Sequence, residues 1–105
     1  MHPKIRQLLL AIEPYGPERV YLFGSMARGE GDALSDLDVV VIKRTSHTFF
    51  ARLEEAGRML PSNMGAVDLL VYTPEEFSRM LEDGNAFAEM IAEEGRVIYE
   101  REEAG

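Results

Sequence analysis

The sequence predicts an α/β (α+β) fold in which short strands alternate with amphipathic helices. Two apolar segments rich in β-branched or aromatic residues, 20–23 and 39–42, have the composition of strands. Apolar residues at helical spacing, beginning with Ile5, Leu8 and Ile12, predict helices before and after these strands. We expect residues 1–105 to form a single domain, because 105 residues that are 46% hydrophobic suffice for one modest core.

Capping and breaking residues delimit the other elements. Ser46 is a candidate N-cap for a second helix, which Pro61 closes. Thr73 is followed by Pro74 and then by Glu76 three positions on, which is the pattern of a capping box at the start of a third helix. Further along, the pattern predicts a strand over 67–72 before that helix, a fourth helix over 86–94 and a final strand over 97–99.

The most informative segment lies between the first two strands. It begins with Gly24-Ser25, continues for ten residues and ends with Asp36-Leu37-Asp38. Gly24 permits a sharp turn, and Ser25 is suited to cap a short helix that Gly29 ends. Backbone amides at such a helix start bind anions, so the segment predicts a phosphate site.

Asp36 and Asp38 predict a cation site beside that turn. Side chains at i and i+2 of an extended strand project from the same face, so the two carboxylates point together and repel each other. A divalent cation with oxygen ligands relieves this repulsion, and Mg²⁺ is commonly held by one or two carboxylates together with substrate phosphates.

Asp68 is the candidate third carboxylate. It lies in the otherwise apolar segment Val-Asp-Leu-Leu-Val-Tyr, where an acidic side chain is costly to bury unless it is paired, hydrogen-bonded or bound to a metal. The competing interpretation is a hydrogen-bonding residue at a strand end.

The other motif residues also have structural interpretations. Residues 35–38, beginning with Ser35, fit a helix capping box, although the Val-Val-Val-Ile run that follows favours a buried strand. Gly24-Ser25 alone is compatible with a structural turn. Arg28, one turn after Ser25, can reach a phosphate or pair with a nearby carboxylate.

Other nucleotide-binding and hydrolytic motifs do not fit. Gly24 and Gly29 have the spacing of P-loop glycines, but Glu30-Gly31 stands where Lys and Ser/Thr are required. Ser25 lacks a base for nucleophilic catalysis, since the two histidines, His2 and His47, lie outside the motif.

The amino-acid composition limits the classes of binding partner and the cellular compartment that we expect. Residues 1–52 hold seven Lys/Arg and six Asp/Glu, whereas residues 53–105 hold four and thirteen. We expect no direct nucleic-acid binding, because such binding relies on contacts from Lys and Arg to phosphates. We interpret most of the acidic residues as parts of solvated helix faces. The sequence has no cysteine, no apolar run long enough to span a membrane and no signal-peptide pattern, so we expect a cytoplasmic protein without disulfides, thiolate metal sites or membrane attachment.

Taken together, the Gly-Ser turn, Asp36, Asp38 and Asp68 resemble the nucleotidyltransferase superfamily that includes DNA polymerase beta. The form Gly-Ser-x-Ala-Arg-Gly followed by Ser-Asp-x-Asp is most similar to the minimal nucleotidyltransferases (MNT), the antitoxin partners of HEPN-domain proteins. This resemblance implies a polymerase beta palm-like fold, a small mixed β-sheet with helices packed on one side. It also implies ATP as donor, a tyrosine hydroxyl of a HEPN toxin as acceptor, and a toxin–antitoxin function.

The expected reaction is transfer of a nucleoside monophosphate from an NTP. Asp36 and Asp38 are expected to hold two Mg²⁺ ions, and Asp68 to complete the second site and accept the acceptor's proton. The candidate nucleotide-binding residues, which would hold the phosphates, are Gly24, Ser25 and Arg28. The alternative is a non-catalytic antitoxin that neutralises a HEPN partner by complex formation, and either function is compatible with a homo- or hetero-oligomer.

We expect no second domain that would hold the base and the acceptor, and we therefore expect the acceptor itself to complete the pocket. Apolar residues of the last two helices are candidates for that contact, although each is also a candidate core residue: Phe77, Met80, Phe87 and Met90.

Overall fold

A computed structural model describes residues 2–30 and 36–102 of the chain. Its described elements are four strands, four α-helices and two short 3₁₀ turns. In chain order these are α1 (Pro3–Ile12), a 3₁₀ turn (Glu13–Tyr15), β1 (Arg19–Phe23), β2 (Leu37–Ile42), α2 (Phe49–Met59), a 3₁₀ turn (Ser62–Met64), β3 (Val67–Tyr72), α3 (Pro74–Glu82), α4 (Ala86–Glu94) and β4 (Arg96–Glu100).

The strands form one mixed sheet in the order β3-β2-β1-β4. The central strand β1 is antiparallel to both β2 and β4, whereas β2 and β3 are parallel. The predicted α+β class and mixed sheet are therefore confirmed. The parallel pair brings the beginnings of β2 and β3 together, next to the end of β1.

The expectation that helices pack on one side of the sheet is wrong. Residues Val39 and Val41 of β2 pack with α1 and α2 on one face, whereas Val40 and Ile42 pack with α3 and α4 on the other. All four side chains are buried. A strand whose side chains are apolar on both faces needs cover on both, and this is why the helices divide into two layers.

Helix α2 begins two residues later than predicted. Its N-cap is Thr48, not Ser46, and the Thr48 hydroxyl accepts a hydrogen bond from the Ala51 amide at 3.2 Å. Arg52 accounts for this start. Its Nε donates to the His47 carbonyl at 2.9 Å, while its backbone amide donates to the Thr48 carbonyl at 3.0 Å, so the helical hydrogen bonds begin at Thr48.

Helix α3 has the predicted capping box. The Thr73 hydroxyl accepts from the Glu76 amide at 3.1 Å, and the Glu76 carboxylate accepts from the Thr73 amide at 2.8 Å. The same carboxylate binds the buried Arg52 guanidinium through two hydrogen bonds of 2.7 and 3.2 Å. Arg52 therefore ties α2 to the start of α3, from one side of the sheet to the other.

No helix within the described ranges combines the length and the apolar character needed to cross a lipid bilayer.

Candidate active site

Asp38 and Asp68 lie side by side at the start of the two parallel strands. Asp38 is the second residue of β2 and Asp68 the second of β3, and the strand register pairs them directly. Residues paired in this way project from the same face of the sheet. For Asp38 that is the face of Val40 and Ile42, which α3 and α4 cover further along the strand.

The two carboxyl groups interact strongly. Burial raises the pKa of Asp38, and a hydrogen bond to Asp68 together with the negative charges of Asp68 and Asp36 raises this pKa further. The hydrogen bond has this effect because it favours the protonated Asp38, which can donate to the neighbouring carboxylate. The ionised form of Asp38 is therefore disfavoured in the folded chain, which is the condition that a bound cation relieves.

Asp36 lies immediately before β2 and is exposed. It is two residues from Asp38, and its charge acts on the Asp38 carboxyl. The residues after Asp36 form strand β2 and not a helix, so Asp36 does not belong to a helix capping box. Ser35, the proposed cap, lies outside the described residues. Across the described ranges, no three acidic or histidine side chains converge into a ready-made metal site.

Gly24 ends β1 directly against the Asp38 carboxylate. Its φ is +76°, a backbone conformation that side chains other than glycine rarely adopt. A Cβ at this position would overlap the Asp38 Oδ2 atom. The glycine therefore has two functions: it makes the turn, and it leaves room for the carboxylate beside the backbone.

Residues 24–29 form one hydrogen-bonded turn instead of the predicted short helix. The Gly24 carbonyl accepts from the amides of Ala27 at 3.1 Å and Arg28 at 3.3 Å, so Gly24, not Ser25, has the capping position. Gly29 ends the turn with φ +74°, as predicted. Ser25 follows Gly24 directly, so its backbone lies at the end of the sheet where Gly24 contacts Asp38.

Arg28 is exposed and its Nε donates to Glu30 at 3.1 Å. Of the two interpretations given to this residue, the structure contains the pairing with a carboxylate.

An aromatic pair borders the acidic residues. Phe23 is opposite Asp38 in the β1–β2 register, and its ring makes an edge-to-face contact with Phe87 of α4, with centroids 5.6 Å apart. Phe77 instead stacks on Tyr21 in the core, with centroids 5.8 Å apart. Sequence reasoning assigned Phe23 only to a strand; its position directly before Gly24 was the signal that it borders the site.

A search of curated protein sequences found no match. Residues 10–104 match the family model described as "Polymerase beta, Nucleotidyltransferase".

Two solved structures are similar to this chain. One is a candidate nucleotidyltransferase from Sulfolobus solfataricus, 26% identical, with a TM-score of 0.58 over 93% of this chain and 84% of that one. The other is a chain of a toxin–antitoxin structure with AMP-PNP, 18% identical, with a TM-score of 0.66 over 96% of this chain and 76% of that one; this second likeness is one of fold. The family match covers nearly the whole sequence, and the chain belongs to the polymerase beta nucleotidyltransferase family.

Proposed function

We propose that this chain transfers a nucleoside monophosphate, AMP from ATP, to a hydroxyl group of a partner protein. One observation carries the proposal. Two carboxylates, Asp38 and Asp68, lie paired at the start of adjacent strands, and the turn glycine Gly24 is packed against one of them. Acidic pairs at the edge of an apolar core are expensive, and a cation with a phosphate-bearing substrate offsets the cost.

The carboxylate ligands that these residues offer suit Mg²⁺. Carboxylate oxygens are the hard ligands that this ion prefers, and two of them suffice when substrate phosphates supply further ligands. We assign Asp36, Asp38 and Asp68 to two such ions. When bound, Mg²⁺ stabilises the charge of the triphosphate and makes the attacking hydroxyl more acidic.

The chain's own groups orient the reactants. The Ser25 hydroxyl and the backbone at Gly24-Ser25 would bind the β- and γ-phosphates, and Asp68 would take the proton of the acceptor hydroxyl. The acceptor oxygen forms a bond to the α-phosphorus as the bond from that phosphorus to the β-phosphate bridging oxygen breaks, and pyrophosphate leaves. Arg28 would have to leave Glu30 to reach a phosphate, so we give it no role in the step.

The proposed acceptor is a tyrosine of a HEPN-domain toxin, and the modification would neutralise the toxin. The resemblance to the minimal nucleotidyltransferases supports this, as does the similarity in fold to a chain of a toxin–antitoxin structure with AMP-PNP. Asp36 and Asp68 are exposed, so a macromolecular acceptor can approach the site.

Mass spectrometry tests the reaction. The protein encoded by the adjacent gene is incubated with this chain and Mg·ATP, and we expect one or more AMP groups on a tyrosine. Asp36→Asn and Asp38→Asn should abolish the modification while circular dichroism shows a folded protein. Glu102→Gln removes a charge from an exposed residue without a described contact and should modify the partner like the wild type.

A toxicity assay separates this proposal from neutralisation by binding alone. If modification is the mechanism, protection should be lost with Asp36→Asn and should persist after wild-type antitoxin is depleted. Equal protection by Asp36→Asn and wild type would show that the chain acts as a non-catalytic binding module.

A further inference from the structure

Three strands place a row of side chains across the candidate site. The register pairs Asp68 of β3 with Asp38 of β2, and it pairs Asp38 with Phe23 of β1. Residues paired in this way project from one face of the sheet, and in an antiparallel pair their Cβ atoms are about 5 Å apart. The row therefore changes from acidic on β3 and β2 to aromatic on β1.

Helix α4 extends the aromatic end of this row. The ring of Phe87, in the first turn of α4, meets the ring of Phe23 edge to face, with centroids 5.6 Å apart and an angle of 85° between the planes. Such a contact uses one face of one ring and leaves the other ring faces to different neighbours. Both rings are half-buried. Together Phe23 and Phe87 form an aromatic wall beside Asp38.

The same sheet face has a second aromatic pair, and that pair belongs to the core. Tyr21 and Phe77 stack with centroids 5.8 Å apart, and each is only 8% exposed. Phe23 and Phe87 lie at the margin of this cluster, at the end of β1 where the next residue, Gly24, contacts Asp38. The aromatic wall therefore borders the candidate site as well as the core.

We propose that the aromatic wall stacks against the base of the donor nucleotide. This inference rests on the proposed function, which assigns the terminal phosphates to Gly24-Ser25 and the carboxylates to the reacting end of the triphosphate. A nucleoside triphosphate has the same division as the row of side chains, because it carries a charged chain at one end and a flat base with apolar faces at the other. The base then lies on the β1 and α4 side of Asp38, where the wall is.

The aromatic wall holds a base without identifying it. A phenylalanine side chain has no polar atom, so it forms no hydrogen bond with the groups that distinguish adenine from guanine. Stacking on an aromatic ring tolerates every base, because every base has a π-face. We therefore expect the isolated chain to bind ATP and GTP with similar affinity, and the selection of one purine to depend on other groups.

Two ligands test the wall in the presence of Mg²⁺: a non-hydrolysable ATP analogue and tripolyphosphate, which has no base. Phe87→Leu keeps most of the apolar volume but removes the ring. We expect this variant to raise the dissociation constant of the ATP analogue about fivefold or more and to leave that of tripolyphosphate unchanged. Phe87→Tyr retains the ring and should bind both ligands as the wild type does.

Phe50→Leu is the matched control. Phe50 is a phenylalanine of α2, on the other side of the sheet from α4, and it is 77% exposed. The same substitution there should change the affinity of neither ligand. Circular dichroism checks that each variant is folded.

The two ligands separate the failure of this inference from the failure of the proposed function. If Phe87→Leu binds both ligands as the wild type does, the aromatic wall does not hold the base, whereas the phosphate site stands. If Phe87→Leu loses both ligands equally, the ring supports the shape of the site and does not stack on the base. A wild type that binds neither ligand would overturn the proposed function, and this inference with it.

Nuclear magnetic resonance on the wild type tests the contact without a variant. With the ATP analogue bound, we expect nuclear Overhauser effects between the base protons H2 and H8 and the ring protons of Phe23 or Phe87. Their absence at saturating analogue would contradict the proposal. A preference of about tenfold or more for the ATP analogue over the GTP analogue would contradict recognition by stacking alone.

Discussion

At the scale of single residues, the candidate site holds two neighbouring carboxyl groups, Asp38 and Asp68, whose interaction is electrostatically unfavourable. The Asp38 pKa is raised by burial and by Asp68, which means that the ionised pair destabilises the folded chain. In the pH range between the ordinary and the raised pKa, the folded state binds more protons than the unfolded state. The contribution of Asp38 to stability is therefore present at low pH and is lost as the pH rises through the raised pKa.

Asp38→Asn should accordingly stabilise the metal-free protein at neutral pH while it abolishes nucleotidyl transfer. We expect a melting temperature about 2–4 °C higher, which corresponds to about 0.5 kcal/mol in a chain of this size. Thermal unfolding with EDTA and with Mg²⁺ measures the effect. Mg²⁺ should stabilise the wild type more than the variant, and Glu102→Gln should leave both melting curves unchanged. A variant less stable than wild type in EDTA would show that the carboxylate pair is not strained.

Gly24→Ala should damage both the fold and the site. The Cβ adds the cost of a left-handed backbone and overlaps the Asp38 carboxylate, so we expect a loss of about 1–3 kcal/mol in unfolding free energy and a loss of transfer of about 100-fold. Gly16→Ala is a close control, because Gly16 has φ +77° and open space where the Cβ would stand. It should cost about 1 kcal/mol and leave transfer unchanged. Equal losses of transfer in the two variants would refute the contact with Asp38.

At the scale of elements, the sequence predicted a helix start correctly where neighbouring residues alone determine it. The α3 start was predicted correctly from Thr73 and Glu76, because a capping box uses only neighbouring residues. The α2 start was predicted wrongly at Ser46, because both Ser46 and Thr48 can cap a helix and the choice depends on Arg52. The partners of Arg52 include the carbonyl of Val71 and the carboxylate of Glu76, which come from distant parts of the chain. Sequence periodicity alone does not place an arginine among buried residues.

The Arg52–Glu76 ion pair should make stability depend on pH in the acidic range. Hydrogen bonds from Arg52 lower the Glu76 pKa, so this stabilisation is present above the ordinary carboxyl range and is lost as the pH falls through the lowered pKa. Glu76→Gln should cost about 1 kcal/mol at pH 7, a modest value because the carboxylate is 44% exposed and solvent screens it. The difference from wild type should shrink on acidification.

Urea unfolding at a series of pH values measures this dependence. Glu75→Gln is the control in the same first turn of α3: its partner Arg44 is 3.7 Å away and both side chains are exposed. We expect that variant to differ little from wild type at any pH. A Glu76→Gln deficit that stays constant down to acidic pH would mean that the loss is not electrostatic.

At the scale of the whole molecule, Asp38 and Asp68 stand out in the sequence because each interrupts an apolar strand, and the structure places the two side by side. Their meeting depends on the parallel pairing of β2 with β3, which sequence spacing did not specify. The two-layer helix arrangement was missed for a similar reason. Four consecutive buried residues in β2 indicate cover on both faces, but which helices supply it depends on contacts between distant segments.

The openness of the site leads to a prediction about binding. Asp36 and Asp68 are exposed, and the rings of Phe23 and Phe87 contact each other, so the described residues leave the proposed phosphate and cation site open and without a complete pocket for a base. We therefore expect the isolated chain to bind a Mg·ATP analogue weakly and to bind it more tightly when a HEPN-domain partner is present. Each ligand should tighten the other by the same factor, because coupling free energy is reciprocal.

Isothermal calorimetry measures this coupling in both directions: the analogue titrated with and without the partner, and the partner titrated with and without the analogue. Asp38→Asn supplies the control, since it should remove the analogue's effect on partner binding while the partner still binds through surfaces away from the carboxylates. The acidic C-terminal half should add an attraction to a basic partner that weakens as salt is raised. Equal analogue affinities in the two titrations would show that the isolated domain already forms a complete nucleotide pocket, and the acceptor would then contribute its hydroxyl and nothing to the binding of the donor.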